Sequence, residues 1–93
     1  MKIVYLSSAV HDTAWFRGYY RSVFPAGRNK ARDNLRSTQA LLAANPYIGH
    51  VSEAHKDALE FHIKHTPFSL IYRITQTQIE VLRLWDERQG SVY

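Results

Sequence analysis

Two apolar segments near the end of the chain constrain its fold more than any other feature. Residues 66–75 read TPFSLIYRIT, and residues 79–88 read IEVLRLWDER. β-Branched and aromatic residues dominate both segments, which is typical of buried strands, and Gln76 and Thr77 between them suit a two-residue turn. Each segment also carries an arginine near its end, and a charge in a buried strand needs a partner, water or a ligand. The sequence therefore predicts a packed hairpin from which cationic groups project, an arrangement that suits an acidic or phosphate-bearing partner.

Length and composition narrow the class of protein. Ninety-three residues correspond to one domain, spanning 1–93, and apolar and aromatic contents of 45% and 13% exclude intrinsic disorder. The chain has no cysteine, which excludes disulfides and thiolate metal sites. No apolar run approaches membrane-spanning length, so we expect a cytoplasmic protein without membrane contact. The formal charge of +4 favours nucleic acid or an acidic protein as partner, or reflects only a mildly basic surface.

Hydrophobic periodicity predicts an α+β domain. Residues 2–6 indicate a strand, and 3.6-residue spacing indicates helices from Ala9 to the break at Pro25 and from about Arg28 to Asn45. Residues 45–58 show no steady period and are predicted to form a loop. Alternation from Leu59 to Lys64 predicts a half-exposed strand, followed by strands over 68–75 and 78–85. The resulting order is β-α-α-β-β-β, with a helical hairpin packed on one face of a small, mostly antiparallel sheet and the other face open to solvent or a partner.

Cationic side chains are expected on that open face of the sheet. In a phosphate-binding role, histidine or lysine would transfer protons and arginine would stabilise developing charge. The alternative is that Arg73 and Arg83 pair with Glu80, Asp86 or Glu87, and that the lysine is simply solvated. The candidate residues are His62, Lys64, Arg73, Arg83, Arg88 and Tyr93.

Other features carry weaker indications. Arg28, Arg32 and Arg36 form a basic stripe on the second helix, which is either a solvated face or a contact for nucleic acid or an acidic protein. Trp15 and Tyr19 lie at the margin of the first helix's apolar face, where large aromatics either cover the hairpin seam or join an interface. The five histidines show no metal-ligand spacing, and we expect neither a metal site nor a cofactor.

Several motifs together resemble a known family. The opening MKIVYLSSA, the loop entry NPYIG and the pair PFSLIYRI and IEVLRLW, in the order β-α-α-β-β-β, resemble the RelE/ParE superfamily of toxins from type II toxin–antitoxin modules. The resemblance covers nearly the whole chain, and the amino-acid sequences of the last two strands are closer to those of the ParE-like branch.

The resemblance implies two alternative functions. ParE-like members poison DNA gyrase through protein contacts, whereas RelE-like members are ribosome-dependent ribonucleases that cut messenger RNA with basic residues. Here Lys64 and His62 match second-strand positions and Arg88 with Tyr93 matches the terminal pair, but Ser69 stands where a ribonuclease carries arginine. We therefore expect a ParE-like, non-enzymatic toxin that acts on gyrase, with a ribosome-dependent endoribonuclease as the alternative.

The resemblance also implies a cognate antitoxin that wraps the toxin. The residues expected in the footprint of the antitoxin or of the target are Trp15, Tyr19, Lys64, Arg73, Arg83 and Arg88.

Overall fold

The structure is a computed structural model, and it describes residues 1–88. The first helix, Val10–Gly18, continues without a break into a π-helical turn, Tyr19–Val23, and a 3₁₀ turn at Pro25–Gly27 leads into the next helix. Pro25 cannot continue the helical hydrogen-bond ladder, which is why the hairpin bends there. The elements are β1 (Lys2–Tyr5), α1 (Val10–Gly18), α2 (Arg28–Ala44), β2 (His50–Val51), β3 (Leu59–His62), β4 (Phe68–Ile74) and β5 (Gln78–Asp86).

The strands form one mixed sheet in the order β1-β5-β4-β3-β2. β1 runs parallel to β5, while β5, β4, β3 and β2 are successively antiparallel. The predicted α+β class and the helical hairpin on a mostly antiparallel sheet are confirmed. The loop predicted over residues 45–58 is wrong at His50 and Val51, which form the edge strand β2. Two residues are too few to show a period-2 pattern, so the sequence carries no signal for this strand.

The core lies between the helical hairpin and one face of the sheet. On that face Phe68, Leu70 and Val81 are fully buried. Rings from α1 and the π-helical turn pack on them, with the Phe16 and Phe68 centroids 4.9 Å apart in an edge-to-face arrangement. Leu42 of α2 belongs to the same core and is also fully buried. Burial of each such side chain stabilises the fold by about 1.5–3 kcal/mol, so this layer fixes the position of the helices.

A β-bulge in β5 decides which side chains share the opposite face of the sheet. Tyr72 pairs with Val81 and Ile71 pairs with Arg83, so Leu82 is the additional residue. Arg83 therefore lies opposite Ile71, on the face away from the helices. The expectation that this face is open is wrong at its centre, because Ile71 is 0% exposed. Trp85 lines a depression on this side together with residues 53–54 and 60.

The strand predicted to include Lys64 ends earlier than expected. β3 stops at His62, and a turn follows in which the Thr66 N–H donates to the Ile63 carbonyl at 3.1 Å. His65 adopts a positive φ of 61° at the centre of this turn, a conformation that ends a strand. Lys64 is therefore an exposed turn residue and not a strand residue. Within residues 1–88, no helix is long and apolar enough to cross a membrane.

Candidate functional site

A buried carboxylate at the end of β5 organises one candidate site. Asp86 faces the helical layer and is 3% exposed. Trp15 from α1 donates its indole N–H to Asp86 Oδ2 at 3.0 Å. Arg88 donates to both carboxylate oxygens, from Nε at 2.9 Å and from Nη2 at 2.7 Å, and its backbone N–H binds Oδ1 at 3.0 Å. One carboxylate thus ties α1 to the segment that follows the last strand.

The same arginine also contacts an aromatic ring of the hairpin. The Arg88 guanidinium carbon lies 4.4 Å from the centroid of the Tyr19 ring, a cation–π distance. The hydrogen bonds from Arg88 hold the pKa of Asp86 below its ordinary value despite burial, with Trp15 adding to the effect. The pKa of Arg88 is raised in turn, chiefly by Asp86. At neutral pH the pair is therefore charged, and the aromatic and cationic side chains are held in fixed positions.

A second cluster surrounds Ser69 on the opposite face of the sheet. Ser69 is 1% exposed, and its hydroxyl donates a short hydrogen bond to Glu87 Oε1. His62 pairs with Ser69 across β3 and β4, and its Nδ1 lies 3.2 Å from the same Glu87 oxygen. The position at which a ribonuclease of the superfamily is expected to carry arginine therefore holds a buried serine beside a carboxylate.

Arg83 projects from β5 and turns around the edge of the sheet toward α1. Its Nε and Nη2 atoms donate to the two oxygens of Asp12 at 2.6 and 3.0 Å. The guanidinium carbon also lies 4.9 Å from the ring centroid of Trp85. A bidentate pair of this kind positions the guanidinium firmly and neutralises its charge.

Arg73 has a carboxylate partner on the neighbouring strand. Its Nε donates to Glu80 Oε1 at 2.7 Å, and Gln78 Nε2 donates to Glu80 Oε2 at 2.8 Å. Both contacts, that of Arg73 first, hold the pKa of Glu80 below its ordinary value. Arg73 is thus a half-exposed arginine with a neutralised charge.

The candidate residues therefore fall into separate groups. One group lies around Asp86 and consists of Trp15, Tyr19 and Arg88. Arg73 and Arg83 are each paired with a different carboxylate, away from this group. Lys64 is an exposed residue of the turn after β3. Tyr93 lies outside the described residues. Within residues 1–88, no three His, Asp or Glu side chains are grouped closely enough to hold a metal ion.

Comparison with known protein families shows which family the chain belongs to. A protein-family model described as the ParE toxin of the type II toxin–antitoxin system parDE matches residues 3–90. The chain belongs to the ParE toxin family. Membership in a toxin–antitoxin system implies a cognate antitoxin as partner. The family match agrees with the resemblance to the RelE/ParE superfamily that the sequence showed, and with the ParE-like branch of that superfamily.

A solved structure shares the ParE-family fold of this chain. It is described as a chromosomal ParDE toxin–antitoxin system from P. aeruginosa, and the two chains superpose with a TM-score of 0.68 at 24% sequence identity. The match covers 90% of this chain and 92% of that chain. At this identity the likeness establishes the fold alone. No curated protein sequence is significantly similar to the chain.

Three acidic residues of this ParE-family chain were not proposed from sequence as members of a site. Asp86 is the last residue of β5 and Glu87 follows it, and from sequence both were named only as alternative partners of Arg73 and Arg83. The nearness of Arg88 in the sequence could have indicated that Asp86 binds that arginine instead. Asp12 offered only a local signal, because a carboxylate in the first turn of a helix suits the helix dipole without any distant partner. Its ion pair with Arg83 spans 71 residues and depends on the register of β5.

Proposed function

We propose that this ParE-family toxin inhibits DNA gyrase through protein contacts and does not cleave RNA. The observation that carries the proposal is the cluster at Ser69. A ribonuclease of the superfamily needs an arginine free to meet the phosphate, whereas here a buried serine and Glu87 occupy that region. A carboxylate beside the expected position of the scissile phosphate would repel it. Protein binding needs no such guanidinium.

The neutralised arginines give further support. Arg73, Arg83 and Arg88 each donate to a carboxylate, and drawing one away to a phosphate would leave that carboxylate without its charge partner. Side chains held in this way suit the recognition of a protein surface, where fixed aromatics and arginines contribute most of the binding energy. We place this activity in the cytoplasm, where gyrase and the ribosome both reside.

Two assays on the purified toxin test the proposal. The first measures inhibition of DNA supercoiling by gyrase, and the second measures cleavage of messenger RNA on translating ribosomes. We expect inhibition of supercoiling and no cleavage. Cleavage that is lost in both Lys64→Ala and Arg88→Ala, with gyrase unaffected, would instead establish the endoribonuclease. If both assays fail and expression does not arrest growth, the chain has lost toxicity and only binds its antitoxin.

We further propose that the antitoxin or the target covers the cluster around Asp86. Trp15 is 49% exposed although its indole N–H is bound, so its ring offers apolar area in a fixed orientation. Tyr19 and Arg88 lie beside it in the same cluster. Lys64, Arg73 and Arg83 are proposed to extend the footprint over the rest of the surface. Unchanged affinity for the antitoxin in both Trp15→Ala and Arg83→Ala would show that the footprint lies elsewhere.

A further inference from the structure

The net charge of the chain lies entirely on its helical hairpin, residues 9–45. Those residues contain six lysine and arginine side chains and two aspartates, whereas the remainder of the chain contains six cationic and six anionic side chains. One of the two aspartates, Asp12, is already bound by Arg83. The hairpin therefore produces a concentrated positive potential, which extends about 8–10 Å into solution at moderate salt.

Five of the six cations of the hairpin are exposed arginines on one side of it. On α2 the arginines recur every four residues from Arg28 to Arg36, and because a helix has 3.6 residues per turn they form one row. The first two arginines of this row border the same groove as two arginines of the preceding helical segment. The five side chains form the arginine face, which consists of Arg17, Arg21, Arg28, Arg32 and Arg36.

This chain leaves the arginine face without strong counter-charges. Within residues 1–88, no ion pair or hydrogen bond involves the side chain of any of these arginines except Arg32. Arg32 makes only a long contact of 3.7 Å with Asp33, and both of these side chains are more than half exposed. Arg73, Arg83 and Arg88, by contrast, each lie 2.6 or 2.7 Å from a carboxylate oxygen. The arginine face can therefore bind an external anion without giving up an existing partner.

We propose that the arginine face binds the phosphate backbone of duplex DNA. The row on α2 extends over eight residues, which corresponds to about 12 Å. Duplex DNA carries one negative charge per about 1.7 Å of its axis, so about seven phosphates lie along that length. An acidic helix presents about one carboxylate per turn of 5.4 Å along one side, which is roughly a third of that charge density. Several neighbouring arginines without acids between them suit the denser of these two partners.

The residue types of the face favour phosphate and a duplex. Every cation of the face is an arginine, and the four lysines of the chain lie elsewhere. The guanidinium binds two phosphate oxygens at once and keeps its charge at any physiological pH. Single-stranded nucleic acid also needs aromatic rings on which its bases stack. The rings in the groove are unsuitable for stacking, because Phe16 and Tyr20 are only 7% and 4% exposed.

The shape of the hairpin favours DNA over RNA among duplexes. The end of the hairpin, residues 21–30, is exposed at every position except Gly27. A helix with its side chains is about 10–12 Å across, and the major groove of B-DNA is about 12 Å wide and admits it. The major groove of A-form RNA is too narrow. The arginine face contains none of the residues assigned above to the antitoxin or target footprint, and the proposal holds whether or not gyrase is the target.

The test uses the full chain and a fluorescein-labelled DNA duplex of about 20 base pairs, which is two helical turns. An RNA duplex of the same sequence and a poly-glutamate peptide are the alternative ligands. Fluorescence anisotropy measures their affinities at NaCl concentrations between about 50 and 200 mM. R28Q/R32Q removes two charges from the arginine face. K30Q/K56Q makes the same change in net charge at exposed positions outside it, since Lys30 lies about 160° around α2 from Arg32.

Binding of the DNA duplex should depend steeply on salt. Five phosphate contacts predict that the logarithm of the association constant falls with the logarithm of the salt concentration with a slope of about −4.5, a loss of roughly 500-fold between 50 and 200 mM. R28Q/R32Q should make the slope shallower by about 2 and weaken binding at least about tenfold at 100 mM salt. K30Q/K56Q should change the slope by less than about 0.5 and weaken binding less than about threefold.

Several results would overturn the proposal. Equal effects of the two double variants would show attraction by net charge alone, and no measurable binding of DNA at 50 mM salt would show that the face does not bind a duplex. Tighter binding of the RNA duplex would reject DNA as the ligand. Binding of poly-glutamate as tight as that of DNA would favour an acidic protein. Circular dichroism melts that match the wild type verify that both variants fold.

Discussion

Arg83 donates two hydrogen bonds to Asp12, which lies 71 residues earlier in the chain. The same carboxylate accepts the backbone N–H of Leu84 at 3.1 Å, and the Ser8 hydroxyl donates to the Leu82 carbonyl at 2.7 Å. β1 pairs with β5 only as far as Val81. Side chains from the start of the helical layer therefore satisfy backbone groups that a longer β1 would otherwise have paired, and they close this edge of the sheet.

Removing that carboxylate should destabilise the protein. Asp12→Ala leaves the Leu84 N–H without its acceptor and removes a bidentate partner from Arg83, so we expect a loss of about 2–3 kcal/mol in the free energy of unfolding. In a domain of this size, that loss lowers Tm by roughly 10 °C or more, which a thermal melt measures. Asp33→Ala is the control, because its contact with Arg32 is long and exposed. Equal effects of the two substitutions would contradict the prediction.

The ion pair at Asp86 makes stability depend on pH in acid. The pKa of folded Asp86 is lowered, first by Arg88, so the carboxylate binds its proton less readily in the folded state than in the unfolded state. Its stabilising effect is therefore complete above the unfolded pKa of about 3.9 and is lost as the pH falls through the lower folded pKa. Asp86→Asn should be less stable than the wild type at pH 7, and the difference should narrow below about pH 4.

Urea unfolding at pH 7 and at several pH values between about 5 and 2.5 measures this difference in stability. Glu53→Gln serves as the control, because Glu53 is an exposed acid of the loop before β3 and no ion pair within the described residues involves it. At pH 7 its difference from the wild type should be smaller than that of Asp86→Asn. A gap for Asp86→Asn that is constant or widens in acid would refute the role given to Arg88.

Periodicity predicted most of this fold because it reports burial. Phe68, Leu70 and Ile71 are fully buried, and their strand lies where the run of β-branched and aromatic residues predicts it. The buried face of α2 could also be predicted from the sequence, since Ala31 and Leu42 are buried at helical spacing. These signals are local, and each needs only the residues within one element.

The partners of the arginines could be predicted only in part. The pairing of Arg73 with Glu80 joins adjacent strands of a hairpin, and it was among the alternatives that the sequence left open. The pairing of Arg83 with Asp12 was not, because it depends on the extra residue Leu82 and on where α1 begins. A bulge moves every later side chain of the strand to the other face, and no local sequence pattern predicts where a bulge occurs.

Two glycines should respond oppositely to alanine. Gly18 ends α1 with helical φ and ψ of −63° and −40°, and a Cβ there would meet nothing within 4 Å. Gly18→Ala should therefore stabilise the protein by about 0.5–1 kcal/mol. At Gly49, a Cβ would lie 2.5 Å from the Tyr72 hydroxyl and 2.9 Å from the Glu60 carbonyl oxygen.

Gly49→Ala should consequently destabilise the protein by about 1–3 kcal/mol, because a backbone atom and a buried side chain must both move. Tyr72 also accepts the Gly49 N–H at 3.1 Å and donates to the Pro46 carbonyl at 2.8 Å, contacts that this movement would disturb. Thermal melts of the two variants provide the comparison. A rise in Tm for Gly49→Ala, or a fall for Gly18→Ala, would be inconsistent with this account.

The proposed antitoxin footprint is tested most directly at Trp15. Trp15→Ala should weaken antitoxin binding at least about tenfold, because it removes a large exposed ring that Asp86 holds in place. Trp15→Phe keeps an apolar ring but loses the bond to Asp86, so an intermediate loss is expected. Tyr47→Ala is the matched control, since Tyr47 is 77% exposed and outside the footprint. Titration calorimetry gives the affinities, and a greater loss at Tyr47 than at Trp15 would place the contact near β2.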